Sequence, residues 1–330
     1  MTARDGMLTV AVAIIWGVCF VLLGALVRAG DPLLLAAVRA ALGGGLLVAV
    51  VVWRGGLARL RRPGIGVLPL TSLALLNGAI ALGAMFLAAS RADAAAATVV
   101  GNVQPILLAM AGAVLFGERV GRRGVFGIGL GAAGVILVAA GSRDTGTDPA
   151  GLLLALLSSA APAAGTILMR RLVGRVDLLV VTAWQFLAGG SVLFLTSVLL
   201  EQRFALHLQV SDLVALAFLG ILGTGVAYVV WFGLLERVPL ARLGPALYLV
   251  PVAGVTADIL AGARVRPAEL AGLAVMVAGV ALAAWRPATG GGTHRQTRDR
   301  PRLAPKVCRF FGNLQRSLRR ISLARRRLDA

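Results

Sequence analysis

Hydrophobic positions along this chain neither alternate at the strand period nor form a one-sided helical stripe. They run unbroken. Ten apolar stretches (7–27, 33–53, 67–89, 94–117, 122–140, 150–169, 178–200, 213–235, 240–262 and 268–285) are separated by short polar breaks. A run of about 17–25 apolar residues lets one helix cross the hydrocarbon core of a bilayer. A helix also bonds its own backbone groups at that depth, where water is absent. The pattern predicts an all-α integral membrane protein with ten transmembrane helices. The shortest breaks lie at Gly117 to Gly121 and at Arg264 to Pro267. The first run, Met7 to Val27, is longer than a secretory h-region and is followed by Arg28 rather than a small-residue cleavage site. It therefore reads as the first span.

A second regularity lies over the first. The chain repeats itself at an offset of 146 residues: Arg91 returns as Arg237, Pro105 as Pro251, and Leu73 to Phe86 as Leu219 to Phe232. Five spans is an odd number, so two such copies enter the membrane upside down to each other. The expected organisation is two inverted five-helix repeats, 1–145 and 146–287. A disordered basic linker (288–308) and a basic amphipathic tail helix (309–330) follow.

Charge sharpens this picture. Only 14% of residues are charged, against about 25% for a soluble domain. Residues 286–330 hold 13 of the 33 Lys and Arg residues, opposed by Asp299 and Asp329. Ten of the remaining 20 bases cluster after spans 2, 4 and 6, whereas the loops after spans 1, 3, 5 and 7 are neutral or slightly acidic. The positive-inside rule then puts both termini in the cytoplasm of a cell with this protein in its inner membrane. Loop 9 votes mildly the other way, through Arg264 and Arg266. In the tail, Phe311, Leu314, Leu318, Ile321 and Leu328 follow helical spacing among arginines. Such a helix suits the anionic inner leaflet, making membrane lipid an expected partner. No nucleic-acid-binding fold accompanies the charge, and no nucleic-acid partner is expected.

Several chemistries are disfavoured. Cys19, Cys308, His207 and His294 match no metal-ligand spacing, and no cofactor is expected. Gly129-Leu130-Gly131-Ala132-Ala133-Gly134 fits GxGxxG, but lies inside an apolar span without a βαβ unit. Gly127 and Gly131 at GxxxG spacing point instead to close helix packing. No Walker A sequence is present.

The polar residues inside the spans are the candidates for function. Pro105 and Pro251 sit near the middle of spans 4 and 9 at repeat-equivalent positions. Each would remove a hydrogen bond and free a carbonyl, at Gly101 and Leu247. Exposed backbone at that depth is tolerated where protein or a water-filled cavity covers it. Arg39 and Asp258 are ionisable groups placed about 9 Å and about 6 Å from the outer ends of spans 2 and 9. A charge there costs several kcal/mol, which points to function; the competing roles are an Arg39 that snorkels to the outer headgroups and an Asp258 at the boundary touching water. The two are expected to pair, or to line an outer vestibule together. Asp258 and Glu118 are candidates for proton coupling. For Glu118 the competing role is a bond to Arg119, Arg122 or Arg123, or a cap on the next helix. Asn77, Asn102, Gln104, Gln185, Tyr228 and Tyr248 either touch substrate or bond between helices. Asn102 and Gln104 stand two apart, so on a regular helix both cannot face one cavity.

These residues also carry a resemblance. Ile15-Trp16-Gly17, Val38-Arg39-Ala40, Gln104-Pro105 and Gly117-Glu118-Arg119 stand in the first copy. Gly220 to Gly225, Tyr228, Trp231-Phe232, Val238-Pro239 and Val250-Pro251 stand in the second. From about residue 8 to 287 the chain resembles the ten-span EamA-type permeases of the drug/metabolite transporter superfamily. The resemblance implies a proton- or gradient-driven carrier of small metabolites, often an exporter of amino acids or related compounds. Trp16 joins the substrate-binding or gating candidates. There are departures: Gly262-Ala263-Arg264 replaces a second Gly-Glu, Pro162 stands where span 1 has Trp16, and Gln185 where span 2 has Arg39. The expected function is secondary transport of a small metabolite by alternating access, with export favoured. A homodimer is one assembly open to such a carrier. The rival readings are a membrane-embedded enzyme, a flippase for lipid-linked groups and a non-transporting scaffold.

Overall fold

The computed structural model describes residues 2–284, apart from 62, 92–100, 141–147, 202–205, 261 and 263–265. The expected linker and tail helix lie outside the described residues. Those residues form helices α1 (Ala3–Leu26), α2 (Pro32–Gly55), α3 (Val67–Arg91), α4 (Gln104–Phe116), α5 (Arg122–Ala140), α6 (Pro149–Leu172), α7 (Leu178–Leu200), α8 (Val210–Leu235), α9 (Leu240–Leu260) and α10 (Pro267–Ala284). Nine are long and apolar enough to cross a membrane. The tenth, α4, is apolar but shorter within the described residues.

Helix starts follow local chemistry. Thr2 and Asp5 form a capping box at α1. Pro32, Pro149 and Pro267 open their helices where a missing N–H costs nothing. Asp177 accepts from the N–H groups of Leu179 and Val180 to cap α7. Its repeat equivalent, Asp31, precedes α2, but there Glu201 supplies the cap. The Glu201 carboxylate accepts from Leu33 N at 2.7 Å and Leu34 N at 3.1 Å.

Packing between helices is paired across the repeat. α2 lies against α7, and α5 against α10. The contact of α3 with α7 has its counterpart in that of α8 with α2, and α1 with α9 in α6 with α4. In lipid such contacts depend on close approach, since tails and side chains are equally apolar. Between α5 and α10 a Cβ on Gly127 would stand 2.5 Å from the Gly279 carbonyl oxygen. Of the rejected nucleotide motif, Gly134 serves this same packing and Gly131 lies against Tyr248, whereas Gly129 faces open space.

Two features break the helical regularity. α3 contains a π-helical segment at Ala74–Ile80, and α8 one at Leu219–Val226, in repeat-equivalent places. α9 breaks at Leu247 and Tyr248, where tight turns replace helical bonds: Tyr248 N donates to Pro245 O, and Val250 N to Leu247 O. α4 begins after a matching interruption at Asn102 and Val103. Pro105 therefore sits in the first turn of a new helix rather than inside an old one. The Leu247 carbonyl is not left free as the sequence suggested, because Val250 N takes it at 3.0 Å.

On the side of the α2–α3 and α6–α7 loops, Arg59 Nε meets Asp177 at 2.6 Å. Burial alone would raise the Asp177 carboxyl. The Arg59 hydrogen bond and the Val180 and Leu179 N–H groups outweigh it and hold the carboxyl below its usual value. A depressed carboxyl stabilises the fold above its unfolded pKa, and that contribution fades as pH falls through the folded value. Arg59 is one-third exposed, so the expected size is below about 1 kcal/mol. Thermal unfolding at pH 7 and pH 3.5 should show a smaller acid loss in Asp177→Asn than in wild type.

Candidate functional site

Both helix breaks open on one cavity. It has a volume of about 90 Å³ and lies between α1, α2, α3, α4, α6, α8 and α9. Its wall is built from repeat-equivalent positions. Trp16 and Pro162 line it, as do Leu82 and Tyr228, Met85 and Trp231, and Gly101 and Leu247. Each pair is 146 residues apart. The chemistry is lopsided even so: the second copy contributes Tyr228 and Trp231 where the first gives Leu82 and Met85.

Aromatic rings form one continuous wall. Trp16 lies 5.5 Å from both Tyr228 and Trp231, centroid to centroid. Phe186 and Phe232 hold Tyr228 from behind, at 4.8 Å and 5.5 Å, both edge to face. Edge-to-face pairs are favoured because ring edges are positive and faces negative. Trp231 is almost fully buried, and its Nε1 donates to Thr166 Oγ1.

The π-helical segment of α8 organises the polar part. A π turn shifts the i→i−4 bonding and leaves side chains and carbonyls in unusual directions. The Gly223 carbonyl accepts from Trp16 Nε1 at 3.0 Å. Thr224 Oγ1 donates to Leu219 O, five residues back, and accepts from Arg39 Nε at 2.9 Å. Arg39 lines the cavity and is only 3% exposed. In the equivalent place α7 presents Gln185 to the π-helical segment of α3. There Asn77 Nδ2 donates to Gln185 Oε1 at 3.2 Å. Both amides are fully buried and neither lines the cavity.

Trp16, Arg39, Asn102, Gln104, Pro105 and Tyr228 are thus brought together at the cavity. The interruption before α4 is what lets both Asn102 and Gln104 face it, against the expectation from helical spacing. Gln104 N donates to Ser159 Oγ at 2.8 Å. Asn77, Gln185, Tyr248, Pro251 and Asp258 stand off the lining. Tyr248 is fully buried beside Gly131, among Val135, Leu273 and Met276. Arg39 and Asp258 form no ion pair; Thr224 takes the guanidinium instead. Sequence reasoning misses Thr224, Thr166, Ser159 and Trp231 as site residues. The π segment and the helix break that position them depend on contacts between distant helices.

Glu118 is bound tightly, but by neither of its expected partners. Its Oε1 accepts from Leu240 N at 3.1 Å and its Oε2 from Ala241 N at 2.7 Å, capping α9. Arg170 on α6 stands 3.5 Å away. One carboxylate therefore ties the end of α4 to two helices of the other repeat. Glu118→Ala should cost about 1–3 kcal/mol, with Glu118→Gln in between. Thermal unfolding of the purified variants measures it.

The EamA-like transporter family model matches residues 6–140 and again 149–285. The chain belongs to this family. The two matches fall on the two halves that the internal offset defines. An uncharacterized transporter of Bacillus subtilis, YvbV, is 28% identical over 84% of this chain and 91% of its own length. A protein named as a probable amino-acid metabolite efflux pump of Salmonella typhimurium is 28% identical over 85% of this chain and 94% of its own. A crystal structure of another protein superposes with a TM-score of 0.72, at 26% identity, covering 86% of this chain and 98% of that one. This EamA-type chain is a multi-pass membrane transporter.

Proposed function

We propose that this transporter is a secondary carrier that moves a small metabolite across the cytoplasmic membrane by alternating access. Its ten spans form two inverted repeats, 1–145 and 146–287, with both termini in the cytoplasm. The observation that carries the reading is the cavity itself, lined by repeat-equivalent residues where α4 and α9 are both interrupted. Discontinuous helices at the meeting of inverted repeats are a common way to build a carrier's central site. Rocking one copy against the other would expose such a site to each side in turn. Export is the favoured direction, since the Salmonella relative is named an efflux pump. Proton coupling involves Asp258, the partly exposed acid of α9. The basic linker and tail at 288–330 rest on anionic lipid and are dispensable for transport. A homodimer is compatible with this arrangement.

Purified protein in liposomes, offered a panel of labelled metabolites with and without a proton gradient, tests this. Saturable flux and counterflow of one class are expected, faster with the gradient. Flux indifferent to the gradient would remove the coupling, and absence of counterflow would remove the carrier.

A further inference from the structure

Among the described residues that line the cavity, Arg39 is the one cation. Its guanidinium keeps its charge at any physiological pH. Thr224 satisfies Nε, but Nη1 is buried without a partner. None of the ion pairs among the described residues includes Arg39. Thr224 is a neutral acceptor and leaves the charge uncompensated. Buried charges are otherwise paired, because an uncompensated one is costly. The counter-charge is therefore missing from the described residues, and Arg39 is one of the residues that line the cavity.

The rest of the wall limits what can supply it. The N-terminus of α4, at Gln104 and Pro105, brings the positive end of a 13-residue helix to the same cavity. No second cationic side chain joins the lining among the described residues, so a phosphate dianion would stay undercompensated. Trp16 and Trp231 spend their N–H groups on Gly223 and Thr166, so they offer rings to the remainder of a ligand. The equivalent of Arg39, Gln185, is neutral and sealed against Asn77. An anionic ligand thus has one anchoring point and one orientation. We propose that the cavity takes a small monocarboxylate with an aromatic or apolar body, its carboxylate bound by the Arg39 guanidinium. This rests on reading the cavity as the substrate site.

The test uses the full chain in lipid nanodiscs and tryptophan fluorescence, with Trp16 and Trp231 as reporters. Phenylacetate, phenylacetamide, phenyl phosphate and phenethylammonium are the probes. Phenylacetate should bind wild type at least about tenfold tighter than the neutral amide, the worth of one charge-assisted hydrogen bond. Arg39→Gln should cut that ratio below about twofold, and Arg39→Lys should keep part of it. Equal affinity for acid and amide in wild type would overturn the proposal. So would tighter binding of the phosphate or the cation, no binding of any probe, or a preference that survives Arg39→Gln. The wild-type ratio needs no variant, so a misfolded variant does not block the answer. Vesicle flux separates the two readings. An Arg39-dependent preference without phenylacetate flux keeps the site and removes the carrier; amide flux without acid preference does the reverse.

Discussion

Trp231→Ala will lower stability by about 3–5 kcal/mol and abolish solute flux, whereas Trp231→Phe will cost less than half as much. The indole is 1% exposed and touches the wall on two sides. It lies 5.5 Å from Trp16, and its Nε1 is bonded to Thr166 on α6. Truncation leaves a void beside the cavity and removes the bond that links α8 to α6. Phe keeps most of the volume but not the donor. Because α8 also holds Arg39 through Thr224, slack there reaches the polar anchor. Thermal unfolding in detergent and flux in vesicles measure the two effects. A stability loss under about 1 kcal/mol would mean that the aromatic wall is loosely packed.

Gly134→Val will prevent α5 and α10 from pairing and leave little folded protein. A Cβ at this position would stand 2.6 Å from the Gly272 carbonyl oxygen and 2.8 Å from Met276 N. Both are backbone atoms of α10, so no side-chain rotation relieves the clash, and the helices must separate. In lipid, separation forfeits the close packing that drives helix association. Gly129→Val is the matched control, in the same helix and with the same added atoms. A Cβ on Gly129 meets nothing within 4 Å. Size-exclusion profiles should be monodisperse for Gly129→Val and aggregated for Gly134→Val. Equal behaviour would contradict the α5–α10 interface.

Much of this architecture was legible in the sequence because bilayer thickness imposes a length on apolar runs. The 146-residue offset also announced that any central feature would come twice. Arg39, Trp16, Pro105 and Tyr228 stood out as polar, aromatic or kinking residues in otherwise aliphatic runs, and all four line the cavity. Contacts between residues far apart in sequence were not legible. Glu118 reaches backbone groups 122 and 123 residues away, and Asn77 bonds a side chain 108 residues on. Spacing along one helix carries no signal for either. The pairing of Arg39 with Asp258 failed for a related reason: similar depth in the membrane does not place two helices side by side. Thr224 was hidden in a glycine-rich run whose π-helical backbone depends on its neighbours in space. The Gln185 equivalence was visible, but not that it would be sealed off while Arg39 stayed open.

The central claim is that one cavity, built from both repeats, is reached from the two sides of the membrane in turn. Met85→Cys, in a chain also carrying Cys19→Ser and Cys308→Ser, tests it with a membrane-impermeant thiol reagent applied to oriented vesicles. Met85 lines the cavity, as does its equivalent, Trp231. Labelling is predicted from the cytoplasmic face and from the opposite face, each slowed by bound phenylacetate. Labelling from one face alone under every condition would contradict it.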